Sequence, residues 1–148
     1  MFTHILVPTD GSALSLKAAR YAAGLALELT AKVTALYVIP PYTPPYLGEG
    51  FYLNDAFTEK EYNIASREHA NKSMLRVESL LAKQGVTCVR ETIVSGTAWE
   101  GIIKAASKFK CDLIVMASHG RSGLAGVVLG SQTTRVLTHS KVPVLVCR

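Results

Sequence analysis

The stretch Asp112–Ser131, DLIVMASHGRSGLAGVVLGS, decides how the chain is read. Leu113 to Ala117 are uninterruptedly apolar, the pattern of a strand covered on both faces. Glycines follow at 120, 123, 126 and 130, and Ser131 opens a helical segment running to about His139. Strand, glycine loop and helix in that order predict one unit of a parallel sheet, its loop at the carboxyl end of the strand. Glycine lets a backbone amide approach a ligand closely, and the first amides of a helix lack partners within it. A helix start of this kind favours an anion, above all phosphate. Arg121 adds a planar guanidinium suited to bidentate phosphate contact. The loop lacks the Gly-Lys-Ser/Thr of a Walker A motif, and its glycines follow the fourth strand, unlike the dinucleotide fingerprint. Glycine loops also serve as plain turns, so spacing alone leaves phosphate binding and a turn both open.

Toward the N-terminus, the apolar run His4–Pro8 predicts a buried strand that ends in the turn Pro8-Thr9-Asp10-Gly11-Ser12. Ser12 can cap the next helix, with Leu14, Ala18, Ala22, Leu25 and Leu29 as its core face. Val33 to Ile39 reads as the second strand. Pro40, Pro41, Pro44, Pro45, Gly48 and Gly50 then mark an exposed loop over 40–56. Its aromatics, Tyr42, Tyr46, Phe51 and Tyr52, suit either a ligand or partner surface or a plain loop. Thr58-Glu59-Lys60-Glu61 is a capping box, stapled by Phe57 and Tyr62, for a helix that runs to about Gln84 and stops at Gly85. Ala70, Met74, Val77 and Leu81 mark its core face. Val86–Val94 reads as the third strand. Thr97-Ala98-Trp99-Glu100 forms a second capping box before a helix with Trp99, Ile103 and Ala106 inward. Val142–Val146 is the last strand.

Strict alternation of strands and helices predicts an α/β fold: a five-stranded parallel open sheet with helices on both faces. Ligands in such sheets sit beyond the carboxyl ends of strands where strand order reverses. That rule selects residues 8–12, 38–56 and 117–131.

The 148 residues suit one domain spanning 1–148. A hydrophobic share of 49% against 18% charged residues excludes a disordered tail. No apolar run reaches the length of about 18 residues that marks a membrane span, so no membrane is expected. The start, Met1-Phe2-Thr3-His4, lacks the basic region of a secretory signal. Cys88, Cys111 and Cys147 follow no metal or redox spacing, and an odd count points to a reducing compartment. A cytoplasmic location is expected. Net charge is +5, unevenly spread: residues 101–148 carry seven Lys/Arg against Asp112 alone. An anion near the C-terminal third would explain this, as would a solvated surface. The basic residues are dispersed without interleaved aromatics, so nucleic acid is not expected.

Ser118 and His119 invite a nucleophile–base reading. Adjacent residues on an extended chain point opposite ways, however, and the Gly-x-Ser-x-Gly elbow is missing. His4, His69 and His139 are scattered without metal spacing. Asp10 has two readings, a cap for the first helix or a group beside a ligand.

Along its whole length the chain resembles the universal stress protein family. The resemblance rests on Ile5–Ser12 (ILVPTDGS), Tyr37–Ile39, Asp112–Met116, the Gly120…Gly130-Ser131 loop and Val142–Val146. It implies a Rossmann-like, adenine-nucleotide alpha hydrolase-like fold. The ATP-binding branch of the family carries Gly-x2-Gly-x9-Gly-Ser/Thr. Gly120, Gly130 and Ser131 match it, while Ala117 replaces the first glycine. The resemblance therefore implies an ATP-binding regulatory or sensory module in stress adaptation, with Mg²⁺ and at most slow hydrolysis. By the same resemblance Pro8, Thr9 and Asp10 lie beside ribose and adenine, with Asp10 assisting the metal. Val38 offers its backbone to the adenine edge. Ala117, Gly120, Arg121 and Gly123 surround ribose and phosphates, and Gly130, Ser131 and Gln132 hold phosphates.

Two alternatives stand beside that reading. One is a dimeric interaction protein of the same family that binds no nucleotide, for which Ala117 is the hint. The other is an adenylate-transferring or pyrophosphatase enzyme of related fold, against which Pro8–Ser12 lacks a Ser-Gly-Gly-x-Asp-Ser loop. The last strand is apolar on both faces, and Pro143 lacks a backbone donor, so it suits a sheet edge. Only Lys141 and Arg148 guard its ends, which predicts a homodimer through Val142–Val146, as the resemblance also implies.

Overall fold

In a computed structural model that describes residues 1–44, 58–120 and 129–148, strands and helices alternate from end to end. They are β1 (His4–Pro8), α1 (Ala13–Leu29), β2 (Lys32–Ile39), α2 (Glu59–Ala82), β3 (Cys88–Val94), α3 (Ala98–Lys108), β4 (Leu113–Ala117), α4 (Ser131–His139) and β5 (Val144–Cys147). All strand pairs are parallel, in the order β3-β2-β1-β4-β5. The chain steps outward from β1 through β2 to β3, then crosses back to β4. The order therefore reverses between β1 and β4, as the alternating pattern predicts for an open sheet.

The pleat sorts the core into two halves. Ile5 and Val7 of β1 face one side with the α1 alanines, Val77 and Leu81 of α2, and Leu113 and Val115 of β4. Leu6, between them, faces the other side with Ile102, Ala105 and Ala106 of α3, Ile114 and Met116 of β4, and Val136 of α4. All five residues of β4 are buried, the consequence of helices on both of its faces.

Several local expectations need correction. The buried face of α1 is Ser15, Ala18, Ala19, Ala22, Ala23 and Ala26, while Leu14, Leu25 and Leu29 are half-buried at its flanks. Small side chains let this helix lie close on the sheet, so the alanines take the centre and the leucines spread over the margins. The α2 helix ends at Ala82, before Gln84, because Gly85 adopts φ +78 and the Val86 amide turns back to Leu81 O at 3.0 Å. That use of Val86 delays β3 to Cys88. The Thr58–Glu61 capping box is present, with Glu61 N to Thr58 Oγ1 at 3.2 Å and Thr58 N to Glu61 Oε2 at 2.8 Å. Phe57, its proposed staple, lies outside the described residues, as do Tyr46, Phe51 and Tyr52. The second capping box does not form: Thr97 gives its hydroxyl to Glu100 Oε2 at 2.8 Å and makes no side-chain cap bond. In α3 the buried residues are Gly101, Ile102, Ala105 and Ala106, while Ile103 and Trp99 are half-buried.

At the sheet's other end, Asp112 locks β4 to β1. Its carboxylate accepts from Thr3 N at 2.8 Å, Thr3 Oγ1 at 2.7 Å and His4 N at 2.9 Å. Burial alone would raise this carboxyl's pKa. The donors from His4 and Thr3 outweigh burial and hold it below its ordinary range.

Candidate functional site

A cleft of about 460 Å³ opens beyond the carboxyl ends of β1, β2 and β4. Pro8, Thr9, Asp10, Val38, Ala117, Gly120, Gly130, Ser131 and Gln132 all line it. The fold thus brings together residues more than 120 positions apart. Arg121 and Gly123 lie outside the described residues. Ser15, Leu36, Tyr37, Ala98, Ile102, Met116, His119 and Thr133 also line the cleft. In the sequence most of these read as core or helix positions, and His119 as the neighbour of Ser118 in the glycine loop; the crossover to α3 brings Ala98 and Ile102 here.

The turn after β1 is held by its own side chains. Ser12 caps α1 by accepting from Ser15 N at 3.1 Å. Asp10 does not cap the helix; its Oδ1 accepts from Ser12 N at 3.0 Å, tightening the turn. Buried Thr9 joins Ser15 Oγ at 2.9 Å through its hydroxyl, and its amide donates to Leu36 O at 2.8 Å. A Cβ on Gly120 would stand 2.7 Å from Asp10 Oδ2, so the missing side chain makes room for this carboxylate. Among the described lining residues Asp10 is the one carboxylate.

β2 runs on past the end of β1. Pro8 pairs with Leu36, and Tyr37 to Ile39 have partners only in β3. The Leu36 carbonyl points toward β1, where Thr9 N meets it, and the Ile39 carbonyl points toward β3, where Ser95 N meets it. Alternation along the strand therefore turns the Val38 N–H and C=O toward the cleft. Leu36, Ile102 and Met116 give the pocket beside them apolar walls. A Cβ on Gly101 would stand 2.7 Å from Val38 Cγ1, so glycine sets the depth to which α3 packs against β2.

Opposite that pocket lies the start of α4. Its N-cap is Gly130, with φ −70 and ψ 156 and no capping side chain, and Ser131 is the first helical residue. The amides of the first turn therefore rely on a group from outside the helix. Gly130 N donates to Ser118 O at 2.7 Å, and a Cβ on Gly130 would stand 3.1 Å from His119 Cα. This glycine serves close approach, not an unusual dihedral. Thr133 Oγ1 donates to Ala117 O at 3.0 Å, pinning the helix to the end of β4. Ala117 is an ordinary strand residue: among the described residues the positive-φ non-glycines are Thr30 and Lys110. Its backbone thus does not need glycine. Gln132 Oε1 accepts from Trp99 N at 3.0 Å.

Ser118 and His119, expected to point apart, are hydrogen-bonded, with Oγ and Nδ1 3.1 Å apart. The strand has ended at Ala117, so the alternation that would separate them no longer applies. Ser118 is 1% exposed, which denies its hydroxyl the access a nucleophile needs. Among the described residues there is no cluster of three or more His, Cys, Asp or Glu that could hold a metal, and no helix long and apolar enough to cross a membrane.

A parallel sheet with a crevice at its reversal point, an uncapped helix start and an apolar pocket define an open α/β protein whose cleft lies at the carboxyl ends of the strands. The family model described as the universal stress protein family matches residues 1–148, and the chain belongs to that family. It is 32% identical to the universal stress protein MJ0531 of Methanocaldococcus jannaschii over 151 aligned residues, covering all of this chain and 83% of that one. Among solved structures, the hypothetical protein MJ0577 of the same organism superposes with a TM-score of 0.81 at 29% identity, covering 99% of this chain and 96% of that one. A universal stress protein crystallised with cAMP gives a TM-score of 0.72 at 25% identity, covering 99% and 97%.

Proposed function

We propose that this universal stress protein binds ATP in the cleft between β1 and β4, as a regulatory or sensory module in stress adaptation. The observation that carries the reading is the pairing of two unlike ends in one crevice. The uncapped α4 start suits phosphate, and the apolar pocket with the inward Val38 backbone groups suits adenine. Pro8 and Thr9 flank the ribose side. Ala117, Gly120, Gly130, Ser131 and Gln132 form the phosphate side, with Arg121 and Gly123 assigned there from the sequence motif. Asp10 fits a Mg²⁺ shared with the phosphates, since this ion usually takes one or two carboxylates and keeps waters and phosphate oxygens for the rest. Turnover is slow at most. Of the described lining residues able to take a proton from water, Asp10 is given to the ion on this reading and His119 has its Nδ1 held by the Ser118 hydroxyl. The relative bound to cAMP makes adenine nucleotides as a class the ones to compare. Thermal unfolding with Mg-ATP, AMP and cAMP tests the reading: at 100 times its dissociation constant, ATP stabilises the fold by about 2.7 kcal/mol. A melting temperature indifferent to every nucleotide overturns it in favour of an interaction protein without nucleotide. Release of pyrophosphate at substantial rate would instead favour a transferase or pyrophosphatase.

The same protein is proposed to act as a cytoplasmic homodimer through its last strand. Free thiols at Cys88, Cys111 and Cys147 fit a reducing compartment. The strand, expected over Val142–Val146, is β5, Val144–Cys147, which starts after Pro143 and lies at the sheet edge, with Leu145 and nearby Leu137 exposed. Pro143 O accepts from Ile114 N at 3.0 Å, and Cys147 O accepts from Ser118 N at 2.8 Å. The odd-numbered backbone groups therefore face β4, and the donor that proline lacks is on the inner side. Val144 and Val146 turn theirs outward, where a second β5 pairs antiparallel. Val144→Pro removes an outward donor. Sedimentation is expected to show a wild-type dimer and a largely monomeric variant; a wild-type monomer at micromolar concentration overturns the interface.

A further inference from the structure

The contact between Gln132 and Trp99 gives the anion end of the cleft a feature that the glycine motif does not contain. Trp99 N is a donor only, so the side-chain atom that meets it at 3.0 Å is the oxygen of Gln132. The carboxamide is thereby oriented, and among the described residues neither donor of its Nε2 has a partner, on an exposed side chain that lines the cleft. Trp99 is the second residue of α3, whose own N-cap, Thr97, supplies no side-chain cap bond. A side chain from α4 thus does for α3 what Thr97 does not.

We propose that Gln132 is a positioning residue that couples the two helix starts. Its oxygen caps α3, and its amide donors, fixed by that cap, hold the phosphate of a nucleotide at the start of α4. The assignment rests on the nucleotide reading above and adds to it a second helix that senses the anion. The α3 amide polarises the carboxamide, so binding at α4 strengthens the bond to Trp99, and losing that bond loosens the phosphate contact. The sensing residue is the chain's single tryptophan. Its ring lies 4.9 Å from that of His139, tilted by 33°, and the Arg135 guanidinium carbon lies 5.8 Å from the ring centroid. Both partners are on α4. A change at the Gln132 cap therefore alters the ring's surroundings, and ligand occupancy is read where α3 meets α4.

The test uses the full chain with Mg-ATP, followed by calorimetry, tryptophan emission and amide hydrogen exchange. Gln132→Ala removes both functions: exchange at the Trp99 amide quickens in the ligand-free protein, and affinity falls about tenfold, the loss of one charge-assisted hydrogen bond. Gln132→Glu separates them. Its carboxylate still accepts from Trp99 N and keeps that amide protected, but has no donor for phosphate and repels it, so affinity falls at least as far. Saturating Mg-ATP shifts Trp99 emission in the wild type and not in Gln132→Ala. Wild-type affinity in Gln132→Glu, or unchanged Trp99 exchange in Gln132→Ala, or no emission change at wild-type saturation, each overturns the coupling and leaves nucleotide binding standing. Failure of the wild type to bind any adenine nucleotide removes the nucleotide reading, and the coupling with it.

Discussion

The amide of Gly130 donates to the carbonyl of Ser118 at 2.7 Å, so the residue that caps α4 lies directly against the end of β4. That bond sets where the uncapped helix start meets the cleft. It also leaves little room for a side chain, since a Cβ at Gly130 would stand 3.1 Å from both Cα and Cβ of His119, a contact that requires the backbone there to give by a few tenths of an ångström.

Gly130→Val therefore pushes the start of α4 away from β4. Its φ of −70 suits any residue, so the cost is steric and not conformational. Overpacking of this kind costs about 1–3 kcal/mol. The expected variant is folded, with a lowered melting temperature and no measurable gain in stability from Mg-ATP. Wild-type affinity in the folded variant would show that this helix start is not the phosphate site.

Ser131 and Ser12 look alike as serines at helix starts, yet they differ in role. Ser12 is the N-cap of α1, whereas Ser131 follows the N-cap Gly130 and is exposed. Ser12→Ala is expected to cost about 1 kcal/mol of stability. Ser131→Ala is expected to change stability by no more than about 0.5 kcal/mol, as surface substitutions do, while weakening ATP binding. Paired denaturant melts and nucleotide titrations read both effects.

Acid destabilisation should be traceable to Asp112. Its pKa in the folded chain lies below its ordinary value, because the His4 and Thr3 donors overcome the effect of burial. The unfolded chain therefore takes up the proton first. The stability this group contributes is full above the unfolded pKa and is lost as pH falls through the folded one. Asp112→Asn is expected to be less stable at neutral pH by about 0.5–1.5 kcal/mol, since water screens this partly exposed carboxylate, with a shallower fall in stability between about pH 5 and pH 2. Equal acid slopes in both proteins would contradict this assignment.

The three thiols should react slowly in the folded state. Burial pushes the pKa of Cys111 up to about 11, aided by Asp112. Burial also raises Cys88, with Glu78 adding and Arg90 opposing, and raises Cys147 against the pull of Lys17. At pH 8 each stays protonated, and the thiol is a poor nucleophile. Alkylation at pH 8 followed by mass spectrometry is expected to leave the native chain largely unmodified and to label all three sites in denaturant. Rapid labelling of native Cys111 would refute the burial argument.

Local order along the chain determines much of this protein. Five strand segments separated by helical periods specify a parallel α/β sheet, because each helix must return the chain to the same end before the next strand can pair. The Thr58–Glu61 box and the start of α4 at Ser131 depend on residues three or four apart, and for that reason they can be read directly. The residues gathered at the carboxyl ends follow from the sheet's handed connections, which is why Pro8, Val38 and Ala117 could be placed together. Only tertiary structure decided the rest. Which face of α1 is buried depended on how closely the sheet lets a helix approach, and alanines won over leucines. Which side of Pro143 lacks a donor depended on register with Ile114. The cap that Gln132 lends to Trp99 joins residues 33 positions apart on different helices. No local pattern carries such a bond, because it exists only once two separately encoded helices have packed on the same face of the sheet.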